Sequence, residues 1–332
     1  MKKNLIYINL ALLCFASLAF ADSETGGYAG AHLKIPVEAR PAAMGGAYIA
    51  IADDIAGQLY NPAGISGVRQ KVFASSYRAM GLDRSIGFVS FLLPTKKESA
   101  LGLSWQFVGS GSVEVRNTSG VNMGTSISSN EHIFALTFAK QFSPIISLGT
   151  KLNYYIKGGS TAADEYRSLY DINATSIGIN LGALFCIDSL FEYGSMEEQI
   201  INDIKVGVTF NNLAARYIWG ASEVSSLVAA PEDKFPVVYG GGLSFKTFQR
   251  KLLMAVDLVK VEKCSIFARL GGEFNYNDQF ALRAGLNDGV LTAGLGYQFK
   301  FGARNILIFN YAFSNERIGE GNDHLFGFQI KF

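Results

Sequence analysis

From Phe326 to the end of the chain every second residue is large and apolar (Phe326, Phe328, Ile330, Phe332), with Gly327, Gln329 and Lys331 between them. A period of two with one apolar and one polar face predicts a strand that meets water on one side only. The same alternation is clean over 101–107, 146–156, 204–210 and 291–301. In the last of these, Leu291, Ala293, Leu295, Tyr297, Phe299 and Phe301 oppose Thr292, Gly294, Gly296, Gln298 and Lys300. Less regular segments fall at about 72–79, 84–93, 130–142, 175–187, 236–247, 250–261, 264–276, 279–287 and 303–313. Together they predict about fourteen strands over residues 71–332, each near the roughly nine to eleven residues that cross a bilayer at a tilt. Twelve remains open if the weak pair within 250–276 is misread. The expected fold is all-β, an antiparallel transmembrane β-barrel with its apolar face toward lipid and its polar face toward a lumen.

The connections alternate in length as well. Those near 94–99, 143–145, 248–250, 276–279 and 301–303 are short, whereas 108–130, 158–174 and 213–235 are long. Bacterial barrels carry short periplasmic turns and longer outer loops, which places both ends of the barrel in the periplasm. The stretch 188–203, with Met196-Glu197-Glu198-Gln199, is a long exception on that side and reads as a short helix. A terminal Phe on an alternating strand is the pattern read by the machinery that assembles outer-membrane barrels. Phe328 and Phe332 are therefore expected to form that assembly signal.

Lys2 and Lys3, an apolar stretch from about Leu5 to Phe20, and Ala19-Phe20-Ala21 have the form of a secretory leader with a small-x-small cleavage site. Residues 1–21 are set aside on that ground, and the mature chain is expected to begin at Asp22. Two of the 29 basic residues lie in the leader and 28 residues are acidic, so no basic surface for nucleic acid is implied. Beyond the leader no apolar run reaches the roughly 18 residues of a spanning helix. Yet 49% of residues are hydrophobic, 17% are charged and 36 are Gly. That balance suits a closed sheet in lipid, which leaves no backbone edge unsatisfied; a soluble β-sandwich is the competing reading. Cys186 and Cys264 map to opposite ends of their strands. Bridged Cα atoms lie within about 7 Å and the apolar band is about 25 Å tall, so no disulfide is expected.

Residues 22–70 do not alternate and are rich in small side chains, among them Ala42, Ala43, Gly45, Gly46, Ala47, Ala50, Ala52, Ala56 and Gly57. Such a segment packs into a narrow space but cannot form a core alone, and it precedes a closed barrel. It reads as a plug in the lumen. Asp53 and Asp54 are candidate N-caps for a helix over 55–59. Asn61 can bond nearby backbone, Pro62 ends the helix, and Gly64 permits a sharp exit toward the first strand.

The run Arg40-Pro41-Ala42-Ala43-Met44-Gly45-Gly46-Ala47, then Ala52-Asp53-Asp54, then Asn61-Pro62-Ala63-Gly64 resembles the N-terminal signature of the FadL/TodX superfamily of outer-membrane barrels. It is most similar to the PorV/PorQ branch and related spirochaete barrels. The resemblance implies uptake or passage of hydrophobic, fatty-acid-like small molecules past a movable hatch at about 26–64. The PorV-like alternative it implies is a non-enzymatic scaffold that docks secreted proteins for a secretion system. No cofactor is implied. The chain departs from the transporters in being shorter, with no long plug upstream of Glu38.

Three further groups of residues are candidates for function. Tyr217, Ile218, Trp219 and Leu227, with Leu213 and Val228, cluster in the loop 213–235 and form either a capture surface for a greasy ligand or partner, or a cover for the barrel's own mouth. Lys151, Asp257, Arg269, Glu273, Arg283, Lys300 and Lys331 fall on the expected inner face, where charges meet a wet cavity or pair with one another; Arg269 and Glu273 share a strand face. Glu131-His132 and Asp323-His324 map to the outer rim, but no nucleophile-elbow motif accompanies them and no metal-ligand spacing is present. The sequence therefore favours a non-enzyme.

Overall fold

A computed structural model describes residues 28–96, 98–162, 169–190, 201–219, 232–302, 304–315 and 322–332. Its strands are β1 (Val72–Ala79), β2 (Ser85–Thr95), β3 (Ser99–Arg116), β4 (Asn122–Gln141), β5 (Ile146–Ala162), β6 (Leu169–Cys186) and β7 (Ile201–Leu213). A short pair, β8 (Arg216–Trp219) and β9 (Glu232–Lys234), follows. The wall resumes with β10 (Val238–Thr247), β11 (Leu252–Val261), β12 (Ile266–Tyr276), β13 (Phe280–Asn287), β14 (Val290–Phe301), β15 (Asn305–Asn315) and β16 (Asn322–Lys331).

Each wall strand pairs antiparallel with its neighbours, and β1 pairs with β16 from Val72↔Lys331 to Ala79↔His324, which closes the sheet. The result is a 14-stranded antiparallel transmembrane barrel, with β8 and β9 lying outside the ring. The pair within 250–276 is real, as β11 and β12, so the count is not twelve. Phe332 completes the seam through two backbone hydrogen bonds with Lys71, of 3.0 and 3.1 Å, and Phe328 packs on Phe309 with ring centroids 5.5 Å apart.

The alternation translates directly into faces. On β5, Leu148, Leu152 and Tyr154 point outward while Ser147, Lys151, Asn153 and Tyr155 are buried inside. On β14 the odd-numbered residues 291–297 are exposed and Thr292, Gly294 and Gly296 are buried. Lys300 is exposed at the strand end rather than inside.

Two expected loops are largely strand. β3 and β4 stay paired out to Arg116↔Asn122, and β5 and β6 out to Ala162↔Leu169. Beyond the bilayer both faces of a hairpin meet water, so no apolar side remains to mark the strand in the sequence; Val113 and Glu114 are both exposed there. Cys186 at the end of β6 and Cys264 in the turn between β11 and β12 form no disulfide.

Candidate functional site

Much of the segment 28–70 packs against inward-facing residues of the wall. Near Tyr28 it meets the end of the barrel away from the C-terminus, where the Ala29 amide donates to the Lys234 carbonyl at 2.9 Å. It then descends through a helix Ala39–Ala43 packed on β14–β16, a helix Gly57–Tyr60, and a 3-10 helix Pro62–Gly67 packed on β3–β6, before entering β1. Inner-face glycines make room for it. A Cβ on Gly285 would collide with the Gly45 backbone, and one on Gly182 with Asn61.

The motif residues build this path. The helix Ala39–Ala43 ends at Met44, and the chain reverses through Gly45 and Gly46 at φ 64° and 75°, where L side chains are strained. Met44 is fully buried with Tyr48, Ile51 and Leu253. Asn61 accepts from the Ala63 amide at 3.1 Å and donates to the Ile49 and Ala183 carbonyls at 2.9 and 3.0 Å, tying three stretches of backbone together. Pro62 opens the following 3-10 helix, whose first N–H would have had no partner.

Two expectations need correction here. Asp54 Oδ1 accepts the Ala56 amide at 2.9 Å, but the helix is only the single turn Gly57–Tyr60, and Asp53 caps nothing. Gly64 is not a turn residue; it lies within the 3-10 helix, where a Cβ would strike Ala52.

At the end that carries the C-terminus, Arg40 is a hub. Its guanidinium lies 2.7 Å from Glu273, 2.7 Å from Asp53, 2.9 Å from Asp54 and 2.7 Å from the Tyr48 hydroxyl. Glu273 also accepts from Arg283 Nε at 2.6 Å, and Arg283 donates to Asn310 at 2.9 Å. This network borders a polar basin of about 310 Å³ that Lys331 also lines. Glu273 thus joins Arg40 and Arg283, not Arg269; Arg269 faces Asp257 in register on β11. Asp257 in turn accepts the Tyr48 and Ile49 amides at 2.7 and 2.9 Å. Glu38, fully enclosed on the segment, pairs with no cation among the described residues. Burial first, and then the nearby charge of Asp54, push its carboxyl from an ordinary 4.5 up to about 8.

At the other end Tyr217 is completely buried and donates its hydroxyl to Glu131, whose other oxygen lies 3.2 Å from His32 Nδ1. Tyr155, Phe235 and Tyr217 stack into a cap, with ring centroids 4.8 and 4.9 Å from Phe235. Of the loop cluster, then, Tyr217 covers the mouth. Ile218 remains 55% exposed. Trp219 is part-buried and donates to Asp233 at 2.9 Å. Leu227 and Val228 lie outside the described residues. The adjacent acid–histidine pairs cannot act together, because neighbours in a strand face opposite sides. Glu131 points inward while His132 stacks on Trp105 outside, and Asp323 binds Arg78 inside while His324 lies on Tyr311. Sequence reasoning missed the His32–Glu131–Tyr217 cluster; strand parity at Glu131 was the only signal for it.

Between this cap and the ionic hub lies a cavity of about 160 Å³. Ile35, Val37, Ile49, Ile133, Val238, Val259 and Phe267 supply much of its wall, and Lys151, Asn153 and Thr209 project into it. The site is a partly open, mainly apolar cavity with several polar groups in its lining, the usual make-up of a small-molecule pocket. No group of metal-ligating side chains occurs among the described residues.

No protein-family model matches the chain, and no curated protein is significantly similar to it in sequence. Solved structures do match in fold. The CymD monoaromatic hydrocarbon channel superimposes with a TM-score of 0.60 at 15% identity, over 90% of this chain and 97% of that one. The Pseudomonas putida toluene transporter TodX gives 0.59 at 13% identity, over 89% and 96%. A Pseudomonas aeruginosa FadL homologue gives 0.58 at 10% identity, over 90% and 98%. The chain therefore has the fold of FadL/TodX-type outer-membrane channels. These matches lend no support to the PorV/PorQ branch or to a secretion scaffold.

Proposed function

We propose that the chain is a non-enzymatic outer-membrane channel for hydrophobic small molecules, with residues 28–70 as its plug. The observation that carries this is a mainly apolar cavity lined by both the barrel wall and the N-terminal segment, which is fastened through Arg40. A solute leaving water for that chamber gains about 25 cal/mol per Å² of apolar surface buried. It leaves when the plug shifts, toward the periplasm or sideways into lipid. The solved relatives described as hydrocarbon channels and a toluene transporter support the reading.

The rest of the chain fits the same route. Residues 1–21 direct export, Asp22 begins the mature protein, and the β16 strand with Phe328 and Phe332 recruits the barrel-assembly machinery. Once assembled, the outward aromatic and aliphatic faces meet outer-membrane lipid. The test is influx of radiolabelled toluene and palmitate into proteoliposomes. Influx of either above protein-free vesicles is expected, and equal rates for both would overturn the proposal.

A further inference from the structure

The chamber holds polar groups that a plain hydrocarbon would leave without a partner. Lys151 on β5 is 6% exposed, lines the cavity, and makes no ion pair or hydrogen bond among the described residues. Its cross-strand partners are Thr137 on β4 and Asn180 on β6, neither of them charged. Of the inward carboxylates, Glu131 is engaged by His32 and Tyr217 and Asp257 Oδ2 by the Tyr48 and Ile49 amides, and neither residue lines the chamber. An isolated ammonium inside a protein is strongly disfavoured unless something compensates it.

Two more residues that line the same chamber each carry a buried polar atom without a partner among the described residues. Asn153, two residues along β5 and 2% exposed, has no partner for its Nδ2, and Thr209 on β7, 1% exposed, has none for its hydroxyl. The residues lining this one space thus carry an ammonium, an amide N–H and a hydroxyl, with Arg269 as a further cation in the lining, and such donors are what an anionic head group requires.

Size narrows the choice. A cavity of about 160 Å³ is close to the roughly 150 Å³ apolar cavity that accommodates one benzene. A ring-sized solute fills it, whereas a long acyl chain would extend beyond it.

We propose that this chamber is a binding site for ring-sized organic monoanions, of the aromatic carboxylate class. The carboxylate sits on Lys151 with Asn153 and Thr209, and the ring lies against Ile133 and Val238. The inference rests on the passage reading in taking the chamber as the solute's station, but its test is separate. Purified protein in detergent is titrated with benzoate by equilibrium dialysis, in competition with toluene and with palmitate, for wild type and Lys151→Met. Wild type is expected to bind benzoate at least tenfold more tightly than toluene, and palmitate to compete poorly. Lys151→Met should lose at least tenfold in benzoate affinity while toluene affinity changes less than threefold.

Removing an unpaired buried charge should not impair assembly, which the heat-dependent gel shift of a folded barrel verifies. If assembly fails, Asn153→Leu and Thr209→Val carry the test, each with an expected loss of about threefold for benzoate. Benzoate affinity unchanged in the variants, tighter binding of toluene than benzoate by wild type, or preferential binding of palmitate would each overturn the site. Lysine-dependent benzoate binding without flux of any solute in proteoliposomes would support the site and refute passage. Toluene flux without that binding would do the reverse.

Discussion

The two halves of the lumen solve different problems with similar residues. At the C-terminal end the arginines are paired: Arg40 reaches Glu273, Asp53, Asp54 and Tyr48, and Arg283 shares Glu273. Farther along the lumen Lys151 lines a mainly apolar cavity without an ion pair among the described residues, and Asn153 Nδ2 and Thr209 Oγ1 there have no hydrogen-bond partner among them. Paired buried charges fix a geometry and are costly to break, whereas unpartnered donors await something from outside. The first half fastens the N-terminal segment, and on the proposed reading the second receives a solute.

Breaking the fastening should have the largest effect. Arg40→Ala leaves Glu273 and Asp54 buried without their main cation, and removal of one partner of such a group typically destabilises by about 3–5 kcal/mol. Amide exchange should rise across residues 28–70 while the wall strands stay protected. Uniform protection in the variant would show that the hub does not hold the segment.

Gly285→Ala probes the same fastening by shape. Its Cβ collides with the Gly45 backbone, so the helix Ala39–Ala43 must shift, at about 1–3 kcal/mol for overpacking. Faster proteolysis within residues 28–70 is the readout, and an unchanged digestion pattern would argue against close contact.

Glu38 gives the comparison a pH dependence. With its carboxyl raised from 4.5 to about 8, the folded segment holds this proton more tightly than the free chain does. Protonation therefore favours the seated segment. Seating should be firmest below about pH 4.5 and weaken as pH rises to about 8, by at most about 1.4 kcal/mol per pH unit, then level off. Exchange in the segment measured across pH 5–8 should show this trend after correction for intrinsic rates, and Glu38→Gln should flatten it. Identical profiles in the two proteins would contradict the argument.

The smallest effect should come from the rim. Lys246 and Arg250 lie 2.9 and 3.3 Å from Asp203, part-exposed at the end that carries the C-terminus, and Asp203→Ala should change barrel melting by no more than about 1 kcal/mol. A larger change would mean that rim pairs also hold the structure.

Much of this could be read in the chain beforehand, for identifiable reasons. Alternation placed Leu152 outside and Lys151 inside because a wall strand has lipid on one side and the lumen on the other. It failed over 108–130, where the hairpin rises clear of both. The Arg40, Gly45, Asp53 and Asn61 motif marked the luminal segment, since each of those residues makes a contact that few others could replace. What stayed hidden was partnership between distant strands. That Glu273 would take Arg40 and Arg283, and that His32, Glu131 and Tyr217 would meet, depends on which inward residues share a level in the closed ring. Register and shear set those levels, and no local pattern encodes them.

The central claim is that solute passes only when the luminal segment moves. A Cβ at Gly327 would lie 3.3 Å from that of Ala39, near the roughly 3.5–4.5 Å of a disulfide. Ala39→Cys with Gly327→Cys, in a background of Cys186→Ser and Cys264→Ser, can therefore pin the segment to β16. Toluene influx into proteoliposomes should stop when the pair is oxidised and return on reduction. Equal influx in both states, with the crosslink verified by mass, would contradict the account.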